Sequence, residues 1–226
     1  GRMAFGQERL LVTPLQMASA YGVFATGGYR VNPYLIARIT DAKGKLLNEM
    51  TPPVLDESMR VIDARNAFVM TSLLQEVTRS GTAARAQGTL KRPDIYGKTG
   101  TTNDGNDVWF IGYTSDLVTG FWFGLDVPER IKPNAQGGLL AAPAWRQMMG
   151  EVYERRRTPG GWPQPDGLVS VEIDQTTGFR ASPYCPSTVR VTALFLPGSE
   201  PNEACPVHLP FGQSSAEGAS PVVPAV

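Results

Sequence analysis

Three β-prone segments follow one another in the middle of the chain: Ile95 to Thr101, Val108 to Tyr113 and Leu117 to Leu125. Only the polar loop Thr102 to Asp107 and the connection Thr114-Ser115-Asp116 separate them. Parallel neighbours need a crossover of a dozen or more residues, so connections this short demand adjacent antiparallel strands. Helical patterns lie on both sides. Thr13-Pro14 is an N-cap followed by proline at the first helical position, and Leu15, Ala18, Tyr21 and Val23-Phe24 recur at helical spacing until Gly27-Gly28, predicting a helix from Pro14 to Thr26. Asp63 caps a second, whose Ala67, Met70, Leu73-Leu74 and Val77 form one apolar stripe ending near Ser80-Gly81. Gly137-Gly138 opens a last helix, with Pro143 in its first turn and Trp145, Met148-Met149 and Val152 on one face. Between the first two helices, Tyr34 to Ile39 and Lys45 to Leu47 flank a turn at Asp41-Ala42-Lys43-Gly44, which reads as a hairpin. The fold class is α+β, a central antiparallel sheet with packing helices.

Beyond Thr158, Pro159-Gly160-Gly161-Trp162-Pro163-Gln164-Pro165 is linker-like, and Leu168 to Ile173 can pair with Val189 to Leu196 in a small β appendage. Gly212 to Val226, rich in Ser, Gly, Ala and Pro, reads as disordered. The expected division is 1–158, 159–211 and 212–226. Cys185 and Cys205, the only cysteines, fall in the appendage, where a disulfide would contribute about 3 kcal/mol. Unpaired thiols are the alternative. No metal is assigned, because structural zinc takes four protein ligands and the two cysteines with His208 supply three soft ones. With 21 basic and 21 acidic residues the chain has no charge excess to draw it to nucleic acid. Arg155-Arg156-Arg157 reads as the solvated end of a helix.

The chemistry concentrates in Lys98-Thr99-Gly100-Thr101. Lys98 offers a point charge, and Thr99 and Thr101 offer hydroxyls that can grip a carboxylate; Thr102 is counted with Thr99, Gly100 and Thr101 as substrate-binding. Gly100 has no Cβ and lets a substrate backbone approach the strand, as a peptide adding to a sheet edge would. The backbone N–H of Thr101 can serve an oxyanion hole. Period-two alternation puts Thr99 and Thr101 on one face and Lys98 on the other. Trp109, Tyr113 and Trp122 read as core or cleft wall. Ser80 has Ala83 where a partner lysine would stand, and His208 has no neighbouring nucleophile in sequence, so neither is a catalytic candidate.

Lys-Thr-Gly is one of three motifs of active-site-serine penicillin-binding proteins and β-lactamases, and the resemblance extends further. Leu11 to Ala18 with Phe24 to Gly28 is similar to the helix that follows the Ser-x-Asn region in penicillin-binding transpeptidases. Asp94 to Asp104, Asp107 to Thr114, Gln136 to Trp145, and the tail Pro197 to Pro201 with Cys205 to His208 resemble the bifunctional class A members. The resemblance runs from about Leu11 to His208. It implies a β-lactamase/transpeptidase-like fold, here its C-terminal half, in a serine transpeptidase that cross-links peptidoglycan stem peptides at D-Ala-D-Ala and is trapped by β-lactams. It implies no cofactor, a site outside the cytoplasm, and an N-terminal anchor not contained in these residues. Lys98 is carried over for site electrostatics, Thr99 and Thr101 for the carboxylate, and the Thr101 N–H for the oxyanion. No Ser-x-x-Lys, Ser-x-Asn or glycosyltransferase segment occurs in the 226 residues. The expected partner is therefore an upstream part of the same protein that carries the serine. A carboxypeptidase or β-lactamase-like hydrolase, and a non-catalytic cell-wall-peptide binding module, are the alternatives.

Overall fold

The computed structural model describes residues 11–52, 54–88, 90, 92–157 and 159–210. The chain divides into two compact units, one ending at Pro163 and one beginning at Gln164.

In the first unit, α1 spans Pro14–Ala25. Its start is fixed by reciprocal bonds: Gln16 N donates to Thr13 Oγ1 at 3.2 Å, and Thr13 N donates to Gln16 Oε1 at 2.8 Å, satisfying two amides that the helix leaves open. The hairpin follows as β1 (Arg38–Thr40) and β2 (Leu46–Glu49), paired antiparallel, with Lys43 N and Lys45 N donating to Asp41 Oδ1 in the turn. The strands are shorter and shifted relative to expectation. Every residue of both is exposed, so no buried face rewards extending the ladder back through Tyr34-Leu35-Ile36.

Asp63 caps α2 (Ala64–Arg79) by accepting from Arg65 N at 2.8 Å. A short α3 (Ala84–Gln87), absent from the sequence reading, turns the chain toward the sheet. The sheet consists of β3 (Tyr96–Thr101), β4 (Val108–Tyr113) and β5 (Val118–Phe123) in the order β3-β4-β5, fully antiparallel as expected. Its register sets Thr99 opposite Phe110, Gly97 opposite Gly112 and Tyr96 opposite Tyr113. One face carries Phe110 and meets α4 (Ala141–Glu154), whose Trp145 and Met149 are buried there with Val77, Ala83, Ala86 and Ile95. Close packing explains Gly112 in this central strand: a Cβ there would lie 2.4 Å from the Trp145 ring. The other face carries Tyr96 and Tyr113, which pack with Leu74 of α2, Ala25 of α1 and Trp162. Trp162 donates Nε1–H to Ala25 O at 2.8 Å and meets Tyr96 edge-on. The first unit therefore extends past the expected boundary at 158, because a residue read as linker is part of its core.

In the second unit, β6 (Val169–Asp174) and β7 (Arg190–Phe195) pair antiparallel with Asp174 opposite Arg190. Single bridges join Arg180 to Ile173 on one side and to Ala204 on the other, drawing the Cys205 segment against the sheet. The run 212–226, expected to be disordered, lies outside the described residues.

Candidate functional site

Lys98, Thr99, Gly100 and Thr101 are the last four residues of β3, the edge strand of its sheet. Below them α2 covers the edge, where Thr78 Oγ1 donates to Ile95 O at 2.7 Å. The carbonyls of Ile95 and Thr99 both bond side chains rather than β4, so period two directs the backbone of Thr101 along the same outer edge. Thr102 has the opposite parity, and its N–H donates to Asp107 O on the β4 side at 3.1 Å. Among the described residues no strand pairs with the outer edge of β3.

Thr99 and Thr101 point to the same face, as alternation requires. The Thr99 hydroxyl lies 2.7 Å from that of Thr82, in the turn between α2 and α3, and Thr101 Oγ1 accepts from Gly137 N at 3.0 Å. Lys98 leaves the strand from the other face, but its stem curls over the edge and Nζ donates to Thr99 O at 3.2 Å. The cation and the hydroxyls thus converge on one rim. No described carboxylate forms an ion pair with Lys98. A cation bonded to a backbone carbonyl, beside hydroxyl donors, suits an incoming carboxylate.

Two positions behind the rim escaped the sequence reading. Thr82, in the turn before α3, carries no local signal, although its hydroxyl meets Thr99. Gly137 was read as a helix opener, whereas α4 begins later and Gly137 is buried against the sheet; a Cβ there would lie 2.3 Å from Trp109 O and 2.7 Å from Gly100 O. The signal available in sequence was the glycine pair itself, which marks a close backbone approach.

Thr102, proposed for substrate, has its oxygen turned into the following loop, where it accepts from Asn106 N and Asp107 N, each at 3.0 Å. It organises the β3–β4 connection rather than the rim. Trp109 and Trp122 meet across β4 and β5 with their rings tilted by 42°, and Trp122 Nε1 donates to Asp107 Oδ1. Tyr113 is core: burial pushes its phenol well above the ordinary tyrosine range, opposed by its bond with Thr71. Ser80 donates its hydroxyl to the Glu76 carboxylate at the exposed end of α2.

Cys185 and Cys205, expected as a bridge, are free buried thiols. The Cys205 sulfur is instead turned toward Asp174 and His208, so His208 is not a plain surface residue: its Nδ1 lies 2.6 Å from Asp174 Oδ2.

Residues 1–150 match the penicillin binding protein transpeptidase domain, and residues 164–210 match the penicillin-binding protein 1A C-terminal domain. Penicillin-binding protein 1A of Pseudomonas aeruginosa is 38% identical over 221 residues, covering 77% of this chain and 27% of its own length. That of Neisseria lactamica is 45% identical over 160 residues, covering 70% and 20%. The chain thus spans about a quarter or less of these relatives. The crystal structure of penicillin-binding protein 1A from Haemophilus influenzae superposes with a TM-score of 0.73 at 29% identity, over 86% of this chain and 33% of that one. A mixed helix and antiparallel-sheet fold, a Lys-Thr-Gly rim on its edge strand, and a family match across residues 1–150 lead to one assignment: the chain belongs to the penicillin-binding protein transpeptidase domain family.

Proposed function

We propose that this chain supplies the substrate-gripping and oxyanion wall of a serine D,D-transpeptidase, the nucleophile coming from a segment outside these 226 residues. The observation that carries the reading is the convergence of Lys98 Nζ with the Thr99 and Thr101 hydroxyls on the edge of β3. A stem peptide ending in D-Ala-D-Ala lies along that edge, its terminal carboxylate held by the hydroxyls and by the charge of Lys98. The serine oxygen attacks the penultimate carbonyl, and the Thr101 N–H stabilises the oxyanion. The C–N bond breaks, terminal D-alanine leaves with the proton, and an amine of a second stem peptide then attacks the ester and regenerates the serine hydroxyl. β-Lactams enter the same rim by their carboxylate and acylate the same serine. Because the substrate is cell-wall peptide, the site works outside the cytoplasm.

The test is acylation by a fluorescent penicillin. The 226-residue chain alone should form no covalent adduct. In protein that also carries the Ser-x-x-Lys segment, Lys98→Ala should lower the second-order acylation rate roughly 100-fold, on the scale of losing one stabilising group at an oxyanion, while shifting the unfolding midpoint little. An adduct on the isolated chain, or an unchanged rate in the variant, would overturn the assignment.

A further inference from the structure

Four potential metal donors from separate stretches meet inside the second unit. One donor atom each of Asp174, Cys185, Cys205 and His208 lies within 4.8 Å of all the others. Cys205 Sγ is 3.2 Å from Asp174 Oδ2 and 3.5 Å from His208 Nδ1. Two of the donors are held from behind. Asp174 commits Oδ1 to Thr176, from N at 2.9 Å and Oγ1 at 2.6 Å, which leaves Oδ2 facing the cluster. Ser182 N donates to Cys185 Sγ at 3.3 Å, and Cys205 and His208 are brought together by the short segment Cys205-Pro206-Val207-His208. Amides aimed at sulfur stabilise thiolate, the form that binds metal.

We infer that these four residues form a structural zinc(II) site. The sequence count stopped at three soft ligands because the fourth, Asp174, is an oxygen donor brought in only by the end of β6. A disulfide would account for the two cysteines, but not for a carboxylate oxygen and an imidazole nitrogen facing the same point. A tetrahedral ion accounts for all four. Zinc–sulfur bonds near 2.3 Å and zinc–nitrogen or –oxygen bonds near 2.0–2.1 Å imply donor separations of about 3.3–3.8 Å. The two Cys205 separations fall at or just below that range, and the His208–Asp174 pair at 2.6 Å must open by about 0.7 Å as the ion replaces their shared proton. Two thiolates and a carboxylate leave one negative charge over after zinc, and Arg190 stands close by, donating Nε–H to Cys185 O at 2.9 Å. The unit also needs such a centre. Its buried described residues are Val171, Asp174, Thr177, Cys185 and Cys205, so the ligand set is most of its interior, and a domain this small seldom holds together without a staple.

The test uses the 226-residue chain isolated anaerobically, without added reductant or chelator. Elemental analysis should give one zinc per chain after gel filtration. Cobalt(II) in its place should show thiolate-to-cobalt charge transfer and intense tetrahedral d–d bands, displaced by one equivalent of zinc. Asp174→Ala and Cys205→Ser should each weaken zinc by more than the ~10–100-fold that loss of a residue behind a ligand costs. His208→Gln, at a half-buried position, gives the same readout if the buried variants fail to fold. A Cys185–Cys205 disulfide without zinc in the freshly isolated chain would overturn the inference. So would the absence of the thiolate–cobalt band, or cobalt spectra that Asp174→Ala and His208→Gln leave unchanged.

Discussion

Gly137→Ala should separate the packing behind the Lys-Thr-Gly rim from the chemistry on it. The added Cβ would meet Trp109 O at 2.3 Å, Gly100 O at 2.7 Å and Thr99 Cβ at 3.2 Å. The two oxygens belong to the β3–β4 ladder and cannot swing aside as a side-chain tip would. The loop must therefore retreat by about 1 Å, since heavy atoms settle near 3.5 Å, and the Gly137 N–H bond to Thr101 Oγ1, 3.0 Å in the structure, is lost. Overpacking of about 1–3 kcal/mol and a net hydrogen bond of about 1 kcal/mol give an expected destabilisation of about 2–4 kcal/mol. Gly150→Ala is the control. Its Cβ meets nothing nearer than Leu90 Cδ2 at 3.7 Å, in the interior of α4, so the variant should gain about 0.5–1 kcal/mol from helix propensity. All four tryptophans lie in the first unit, so urea unfolding followed by tryptophan fluorescence reads that unit without contribution from the other. With an m-value of about 2 kcal/mol/M, the Gly137→Ala midpoint should fall by roughly 1–2 M. A shift worth less than about 0.5 kcal/mol, the size of an ordinary surface change, would show that the loop does not press on the sheet. A Gly150→Ala variant less stable than Gly137→Ala would refute the steric argument outright.

Arg92 and Asp94 pair at 2.6 Å with side chains only 11% and 6% exposed, and Arg92 also stacks 3.7 Å over Tyr153. Asp94→Ala leaves a nearly buried guanidinium without its carboxylate and should cost about 3–5 kcal/mol in the same urea assay. Thr99→Val removes a hydroxyl whose partner Thr82 is exposed, so stability should change by less than about 1 kcal/mol while penicillin acylation of protein that also carries the Ser-x-x-Lys segment slows clearly; equal changes in both would reduce Thr99 to a packing residue. Burial raises the phenols of Tyr21, Tyr96, Tyr113 and Tyr153 above the ordinary value of 10.0. Above about pH 10 the unfolded chain has released these protons and the folded chain still holds them, so the unfolded state binds fewer and stability falls as pH rises. Tyrosinate absorbance should then appear together with loss of the tryptophan signal; ionisation of all four while the fold persists would contradict the burial argument.

What could be read in the sequence follows from how local its cause is. The start of α1 was legible because Thr13, Pro14 and Gln16 settle it among themselves, and the β3–β4–β5 order because the connections permit nothing else. Four-residue α3 was not, since it has no side-chain cap and exists because Ala83 and Ala86 fit under Trp145. Trp162 looked like linker for the same reason: its bond to Ala25 O spans most of the first unit. In the rim, residue types and alternation gave Lys98, Thr99 and Thr101. They could not give Thr82 or Gly137, which arrive from elsewhere in the chain, nor the use of Thr102 by its own loop.

The position of Lys98 bears on why no described strand pairs with this edge. An unpaired strand edge invites pairing with other chains, and proteins blunt it with charge or cover. Here α2 covers the first half of β3 through Thr78, and Lys98 guards the second by bonding its own strand at Thr99 O. Under the proposed function that bond is also the resting state of the substrate cation. A peptide laid along β3 takes over the Thr99 carbonyl through a backbone N–H, and Lys98 is released toward the carboxylate, so one side chain both protects the edge and yields it. Lys98→Met keeps much of the stem and removes both the bond and the charge. It should therefore raise self-association of the chain, measured by sedimentation, and slow acylation of protein that also carries the Ser-x-x-Lys segment; slower acylation with unchanged self-association would leave Lys98 its electrostatic role and take away the guarding one.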